Sequence, residues 1–258
     1  MQVKTDMDFE IVSKEECQVT GDREETYSKL EQDLIGQVKM CMNNRTYFKE
    51  VGDVASSNKF EQMALHSKKD LDAVRNSFKR GDAVPKFHYE TRAFSRVVSN
   101  TELTDNDLEL SVLNGINYVV KNPKEVHTYI KWEFPFPRDA PTIDKTAVVK
   151  DTNNPEYNSV HMITINPRDK TFQRVVKRGA LKLEVWSKGG FLRSDTLIGT
   201  ASVKLAPLET SCTIHDSFDL YEGRKSVGGK VEAKIKIRNG ILAKQIEQVQ
   251  EKWLVVQF

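Results

Sequence analysis

The sequence predicts a mainly β chain, in which an antiparallel Greek-key β-sandwich is preceded by an α-helical hairpin and closed by a C-terminal helix. Three observations carry that prediction. Short runs rich in β-branched and aromatic residues recur from Phe87 to Arg238, separated by turn residues. Ahead of them, residues 22–82 place apolar side chains three and four apart, the helical period. Behind them, Leu242, Ile246, Val249 and Trp253 return to that spacing, which predicts a closing helix over 241–252.

In chain order, residues 1–21 are polar and mixed in charge and read as a linker from a longer parent chain. The hairpin follows over 22–82. Asp22 and Glu25 offer a cap and an acidic first turn, and Leu30, Leu34, Val38 and Cys41 form a stripe widened by Ile35 and Met42. A second helix begins near Ser56-Ser57, carries Phe60, Ala64, Leu71, Val74 and Phe78 on one face, and stops at Gly81 with Pro85 beyond. Neither stripe can be buried alone, so the two helices should pair as an antiparallel hairpin that braces its neighbour or joins it to upstream parts. The rest of the chain, 86–258, forms the sandwich with its C-terminal helix. Strands are expected at 87–97, 108–113, 127–134, 143–150, 157–165, 180–187, 196–205 and 230–238, with a shorter one at 217–220.

Composition narrows the function. A chain of 258 residues can bury a sizeable core, and its net charge of +2 argues against a uniformly basic nucleic-acid-coating protein. Cys17, Cys41 and Cys212 are odd in number and lack paired spacing, so neither a disulfide framework nor a zinc site is expected. The thiols suit a reducing compartment. No run of eighteen apolar residues and no signal-peptide pattern occurs, so a membrane would be met reversibly from the cytoplasmic side. The five histidines lie in separate elements, and no nucleophile elbow, phosphate loop or HExxH pattern is present. A non-enzyme without a cofactor is expected.

Three segments resemble a C2 domain in order and spacing. Leu181 to Gly199 reads as a strand, a tip loop and a second strand starting at Leu197-Ile198-Gly199. Residues 108–134 run from one strand to another through a loop from Asn114 to Val126, and Lys145 to Asn158 carries the Thr-x-Asn-Pro corner of that superfamily at Thr152-Asn153-Asn154-Pro155. Calcium-binding relatives hold the ion with several tip-loop carboxylates, because a hard cation needs six to eight oxygens. Here Ser187 and Gly189 stand at those places, Asp195 alone remains in the third loop, and the first loop has no aspartate. No metal is expected. The third loop instead offers Phe191 and Leu192 between Lys188 and Arg193, which suits an anionic membrane or an acidic partner.

A closer resemblance rests on Lys59-Phe60-Glu61-Gln62, Lys68-Lys69-Asp70-Leu71, Thr91-Arg92-Ala93-Phe94-Ser95, Asn114-Gly115-Ile116-Asn117, Phe134-Pro135-Phe136-Pro137, Asp144-Lys145-Thr146, Lys188-Gly189-Gly190 and Trp253-Leu254-Val255-Val256. Over roughly 22–256 the chain resembles the coiled-coil and C2 domain-containing protein 1 family, also called the lethal giant discs family. The resemblance implies a regulator of endosomal sorting and receptor signalling of the Notch type. It also implies that the filament-forming ESCRT-III subunit is a partner, bound mainly through basic helical repeats upstream. Gly52 to Leu71 is similar to a degenerate copy of such a repeat. The upstream repeats are not evident here, so that activity is expected of segments outside this chain. A DNA-binding repressor role is also attributed to the family, but no zinc finger or recognition helix supports it here, and DNA is not the expected partner.

Basic residues are the remaining candidates for binding. In the last sandwich strand Val231, Ala233, Ile235 and Ile237 alternate with Glu232, Lys234, Lys236 and Arg238, which puts a mostly basic row outside next to Lys230. The row suits either a solvated strand or a weak acidic-phospholipid surface, with Lys131, Lys145 and Lys150 on neighbouring strands. Arg168, Lys170, Arg174, Lys177, Arg178 and Lys182 form a second cluster around Phe172, Val175 and Val176, which reads as an amphipathic turn that either binds a partner or is simply solvated. The expected location is cytoplasmic, peripheral to endosomal or plasma membrane, with the nucleus also open. A purely stabilising role for the sandwich is the remaining alternative.

Overall fold

The computed structural model describes residues 10–16, 22–190 and 193–258. These fall into two compact units: the described residues up to Val97 together with Ile246–Phe258, and Val98–Gln245.

The first unit sets a helical hairpin on a small sheet. Helix α1 (Arg23–Glu50) and helix α2 (Val54–Arg80) run antiparallel, as the pairs Arg75–Glu31 and Arg45–Glu61 along their length require. The Asp53 carboxylate accepts the Ser56 N–H and so caps α2, while Gly81 closes it in the left-handed conformation at φ 81°. Strand β1 (Glu10–Glu16), strand β2 (Lys86–Val98) and strand β11 (Gln245–Gln257) form a sheet in the order β1-β2-β11. One core joins Tyr27, Leu30, Leu34, Leu71 and Val74 to Tyr89 and Leu254, and a second joins Cys41, Phe48, Phe60 and Ala64 to Phe94 and Trp253. Each fully buried side chain of this kind contributes about 1.5–3 kcal/mol.

Two expectations fail here. Residues 10–16, read as linker, pair with β2 from Glu10↔Ala93 to Glu16↔His88. The C-terminal helix is absent, because residues 245–257 are the strand β11. From Ile246 to Lys252 exposure alternates with period two, and Leu242 and Ile246, two members of the supposed helical stripe, are 61% and 56% exposed. The helical spacing thus picked residues from both strand faces, whereas Val249 and Trp253 share one face by even separation and pack on the hairpin.

The second unit is the sandwich. Its antiparallel strands are β3 (Asp107–Ile116), β4 (Thr128–Phe134), β5 (Thr142–Lys145), β6 (Glu156–Thr164), β7 (Ala180–Ser187), β8 (Thr196–Lys204), β9 (Thr213–Glu222) and β10 (Lys225–Ile237), ordered β5-β4-β7-β8-β9-β10-β3-β6. Among the described residues a single register pair, Thr200↔Tyr221, links β8 to β9, and the sheet folds there into two layers. Leu108, Leu110 and Val112 of β3 and Val231, Ala233 and Ile235 of β10 face Ile130, Trp132, Leu181, Leu183 and Val185 of β4 and β7 in one core. Helix α3 (Lys170–Arg178) bridges β6 and β7. The strand expected first in the sandwich, 87–97, forms as β2 but pairs in the other sheet. Residues 143–150 pair as a strand only to Lys145, after which Thr146 N–H donates to the Ile130 carbonyl and Val149 and Thr128 form an isolated bridge with two bonds.

Candidate functional site

Antiparallel order gathers three connections at one end of the sandwich: 117–127 after β3, 146–155 after β5 and 188–195 after β7. Backbone bonds tie them together. Lys188 N–H donates to the His127 carbonyl, Thr152 N–H to Val126 and Tyr118 N–H to Asn153, while the Asn153 amide returns a bond to Tyr118. Below them Tyr157 shares a 2.7 Å bond with Thr128 and donates at 3.4 Å to Tyr118, and burial pushes both phenols upward. Gly229, at φ 77°, lets the first loop close over β10, since a Cβ there would meet the Asn117 carbonyl oxygen and Tyr118 Cα at 3.0 Å.

Asp195 is consumed inside the third loop. Its carboxylate accepts the Gly189 N–H at 2.9 Å, the Tyr129 hydroxyl at 2.8 Å and Lys188 Nζ at 3.2 Å. The Gly189 bond, then the tyrosine and lysine, hold its carboxyl below the ordinary value. Among the described residues no group of three His, Cys, Asp or Glu side chains could hold a metal ion. The cations around it are open to solvent. Lys121, Lys124 and Arg193 are exposed and, among the described residues, form no ion pair, and Val119 of the same first loop is 67% exposed. A cleft of roughly 600 Å3 lies between the first and third loops, its lining including Val119, Lys121, Arg193 and Leu197 together with Glu125, whose carboxylate accepts from the Asn122 amide at 3.0 Å. Phe191 and Leu192 lie outside the described residues.

The basic row of β10 has the expected alternation but a different character. Val231, Ala233, Ile235 and Ile237 are buried, with the charged side chains between them outward. The strand is interior, between β9 and β3, and three of the four outward cations are paired. Lys230 meets Asp219 at 3.3 Å, Lys236 meets Glu102 at 2.9 Å and Glu109 at 3.6 Å, and Arg238 meets Asp105 at 3.6 Å while donating to the Leu103 carbonyl at 2.6 Å. The Glu102 bond raises Lys236 above its ordinary value. Lys234 alone of the row forms no ion pair among the described residues and lies opposite Ser111 and His215.

Lys131 and Lys145 were expected beside β10 and are not there. They face each other on β4 and β5, at the opposite end of the strand order, with Glu184 across from Lys131 and Lys145 Nζ 5.9 Å from the Tyr129 ring centre. Lys150 is exposed in the second tip connection. Arg174, Lys177 and Arg178 lie on α3 at the far end of the sandwich from the tip loops. Lys121 and Lys124 stand out only once the fold is known, because the first loop's sequence signals chiefly its lack of acids. The Lys121-Asn122-Pro123-Lys124 corner that presents them was legible.

A C2-domain family profile matches residues 106–220. A solved structure described as CC2D1B coordinating ESCRT-III activity during mitotic reformation of the nuclear envelope is 47% identical, with a TM-score of 0.56, covering 94% of this chain and all of that one. The chain belongs to the coiled-coil and C2 domain-containing protein 1 family. Within the family, a coiled-coil and C2 domain-containing protein 1-like relative of Drosophila pseudoobscura pseudoobscura is 54% identical over 96% of this chain, and the human 1B protein is 33% identical over 97%. The chain spans about 30% of the length of these curated relatives. No helix among the described residues is long and apolar enough to cross a membrane.

Proposed function

We propose that the chain is a non-enzymatic, calcium-independent module of an endosomal-trafficking regulator that acts with ESCRT-III and in Notch-type receptor signalling, and that its C2 unit docks on acidic phospholipid. The ESCRT-III part rests on kinship with the CC2D1B structure described above. The observation that carries the lipid part is the tip: Lys121, Lys124 and Arg193 are exposed and form no ion pair among the described residues, exposed Val119 lines one cleft with Lys121 and Arg193, and Asp195 is occupied by three donors. An exposed apolar residue beside exposed cations suits the boundary between headgroups and acyl chains. At about 1 kcal/mol per cation near an anionic leaflet, three or four cations give a weak attachment that needs a second contact. On this reading the β10 row supports the fold, its charges being balanced by Asp219, Glu102, Glu109 and Asp105. The protein would then work on the cytoplasmic face of endosomal or plasma membrane.

Co-sedimentation of the full chain with phosphatidylserine vesicles, with and without calcium, tests the reading. Binding that is unchanged by calcium and lost in Lys121→Glu/Arg193→Glu is expected. Binding that appears only with calcium, or survives in the variant, refutes it.

A further inference from the structure

Helix α3 carries charge that no ion pair among the described residues balances. Phe172, Val175 and Val176 are buried at the i, i+3, i+4 spacing, so geometry turns Lys170, Arg174, Lys177 and Arg178 to the opposite side, within about 100° of arc. Arg168 precedes the helix, and Arg138 is exposed on the 135–141 connection, whose Phe136 ring meets Phe172 at 5.1 Å between centres. All six cations are exposed, and among the described residues none forms an ion pair. Asp139, Asp169 and Glu209 lie on the segments next to the helix, while Glu102 and Asp105 of the loop before β3 are taken by Lys236 and Arg238 and Asp107 by Thr104. Asp169 is engaged as the helix cap, accepting Thr171 N–H at 2.7 Å. The contrast with β10 is direct, since there Lys230, Lys236 and Arg238 each have a carboxylate partner.

We infer that the outer face of α3, with Arg138 and Arg168, is a docking surface for an acidic protein segment. Four of the six cations are arginines, whose planar forks match carboxylates in bidentate pairs. The apolar residues of the helix are all turned inward, which leaves nothing to insert between lipid chains. The choice of protein over membrane also rests on the tip-loop reading above. Strand β7 runs from α3 to the third tip loop over eight residues, about 25 Å at the usual rise, so a membrane at the tips lies several screening lengths from the helix. One end then faces lipid while the other stays open to a soluble acidic chain.

The test uses the full chain, a fluorescent poly-L-glutamate peptide as probe, and phosphatidylserine vesicles as the competing surface. Arg174→Glu/Arg178→Glu should weaken poly-glutamate binding about tenfold or more, with the salt dependence of wild type flattened and vesicle sedimentation unchanged. These side chains are solvent-exposed, so an unchanged melting curve checks that the variant is folded. Poly-glutamate affinity equal to wild type overturns the inference. So does loss of vesicle sedimentation in this variant, which would assign the face to membrane. Lys121→Glu/Arg193→Glu, run in parallel, reports on the tip reading alone: it should keep poly-glutamate binding, and if it also keeps vesicle binding the tip reading fails by itself.

Discussion

The Gln37 side chain in helix α1 satisfies both backbone groups of Leu254 in strand β11: its Oε1 accepts the Leu254 N–H at 2.8 Å, and its Nε2 donates to the Leu254 carbonyl at 3.4 Å. Nε2 also donates to Ser67 Oγ of α2 at 2.9 Å, so one buried amide joins both helices to the sheet. Replacing it with Leu leaves a buried N–H and carbonyl unmatched. Gln37→Leu should cost about 1–3 kcal/mol, measured as a lowered denaturation midpoint in urea. An unchanged midpoint would show that β11 does not depend on this amide.

Trp253 is the apolar counterpart. It is buried against Phe60 and Cys41, with the Arg92 guanidinium 4.5 Å from its ring centre. Trp253→Ala should destabilise the protein by about 3–5 kcal/mol, the usual range for a large aromatic in a core. Truncation after Gly240 removes the whole strand and should expose both cores of the first unit. Dye binding at exposed apolar surface is the readout, and a truncated chain that binds no more dye than wild type contradicts the prediction.

The Lys236–Glu102 pair predicts a pH window. Glu102 is held below its ordinary pKa, first by the Lys236 bond, so its contribution is present above the unfolded-state pKa of about 4.3 and lost as pH falls through the folded value. Lys236 is raised, so its contribution is full below about 10.4 and lost as pH rises through the folded value. Wild type and Lys236→Met should therefore differ most between about pH 5 and pH 10 and converge outside it. Lys236→Glu sets three carboxylates together and should cost about 1 kcal/mol or more near neutral pH. A parallel pair of stability-against-pH curves for wild type and Lys236→Met would refute the coupling.

Calcium should leave the melting temperature unmoved. A micromolar site in hundredfold excess of ligand would add about 2.7 kcal/mol, which a thermal scan resolves easily. Asp195→Ala should instead speed hydrogen exchange across 188–195, because the Gly189 N–H loses its acceptor. Exchange there as slow as in wild type would show that the carboxylate does not brace the loop.

Which parts of this were readable in the sequence follows from the range of the interactions. The alternation of β10, the Leu30-Leu34-Cys41 line of α1 and the amphipathic turn between Arg168 and Lys182 are local patterns that appear where their periods place them, while Met42, read as widening the α1 stripe, is 43% exposed. What neutralises Lys236 and Arg238 comes from Glu102 and Asp105, far away in sequence, so the row looked freely basic until β3 and its preceding loop were placed beside it. Strand β11 fails for the same reason. Its residues fit a helix by spacing, and only β2, distant in the chain, supplies the ladder that makes extended backbone the better state. The tip was legible as lacking acids. That Asp195 is tied down by Tyr129 could not be seen, since the tyrosine belongs to another strand.

The placing of β11 also dictates an order of events on the ribosome. Helices α1 and α2 leave the exit tunnel first, yet both of their cores are completed by Trp253 and Leu254, which emerge about 170 residues after α2. At 5–20 residues per second the hairpin waits roughly 10–30 s for its last strand, while the sandwich, continuous from Val98 to Gln245, is released whole in the interval. The unit made first is finished last. Until then its apolar stripes are exposed, which makes it the stretch of the nascent chain that a chaperone would hold.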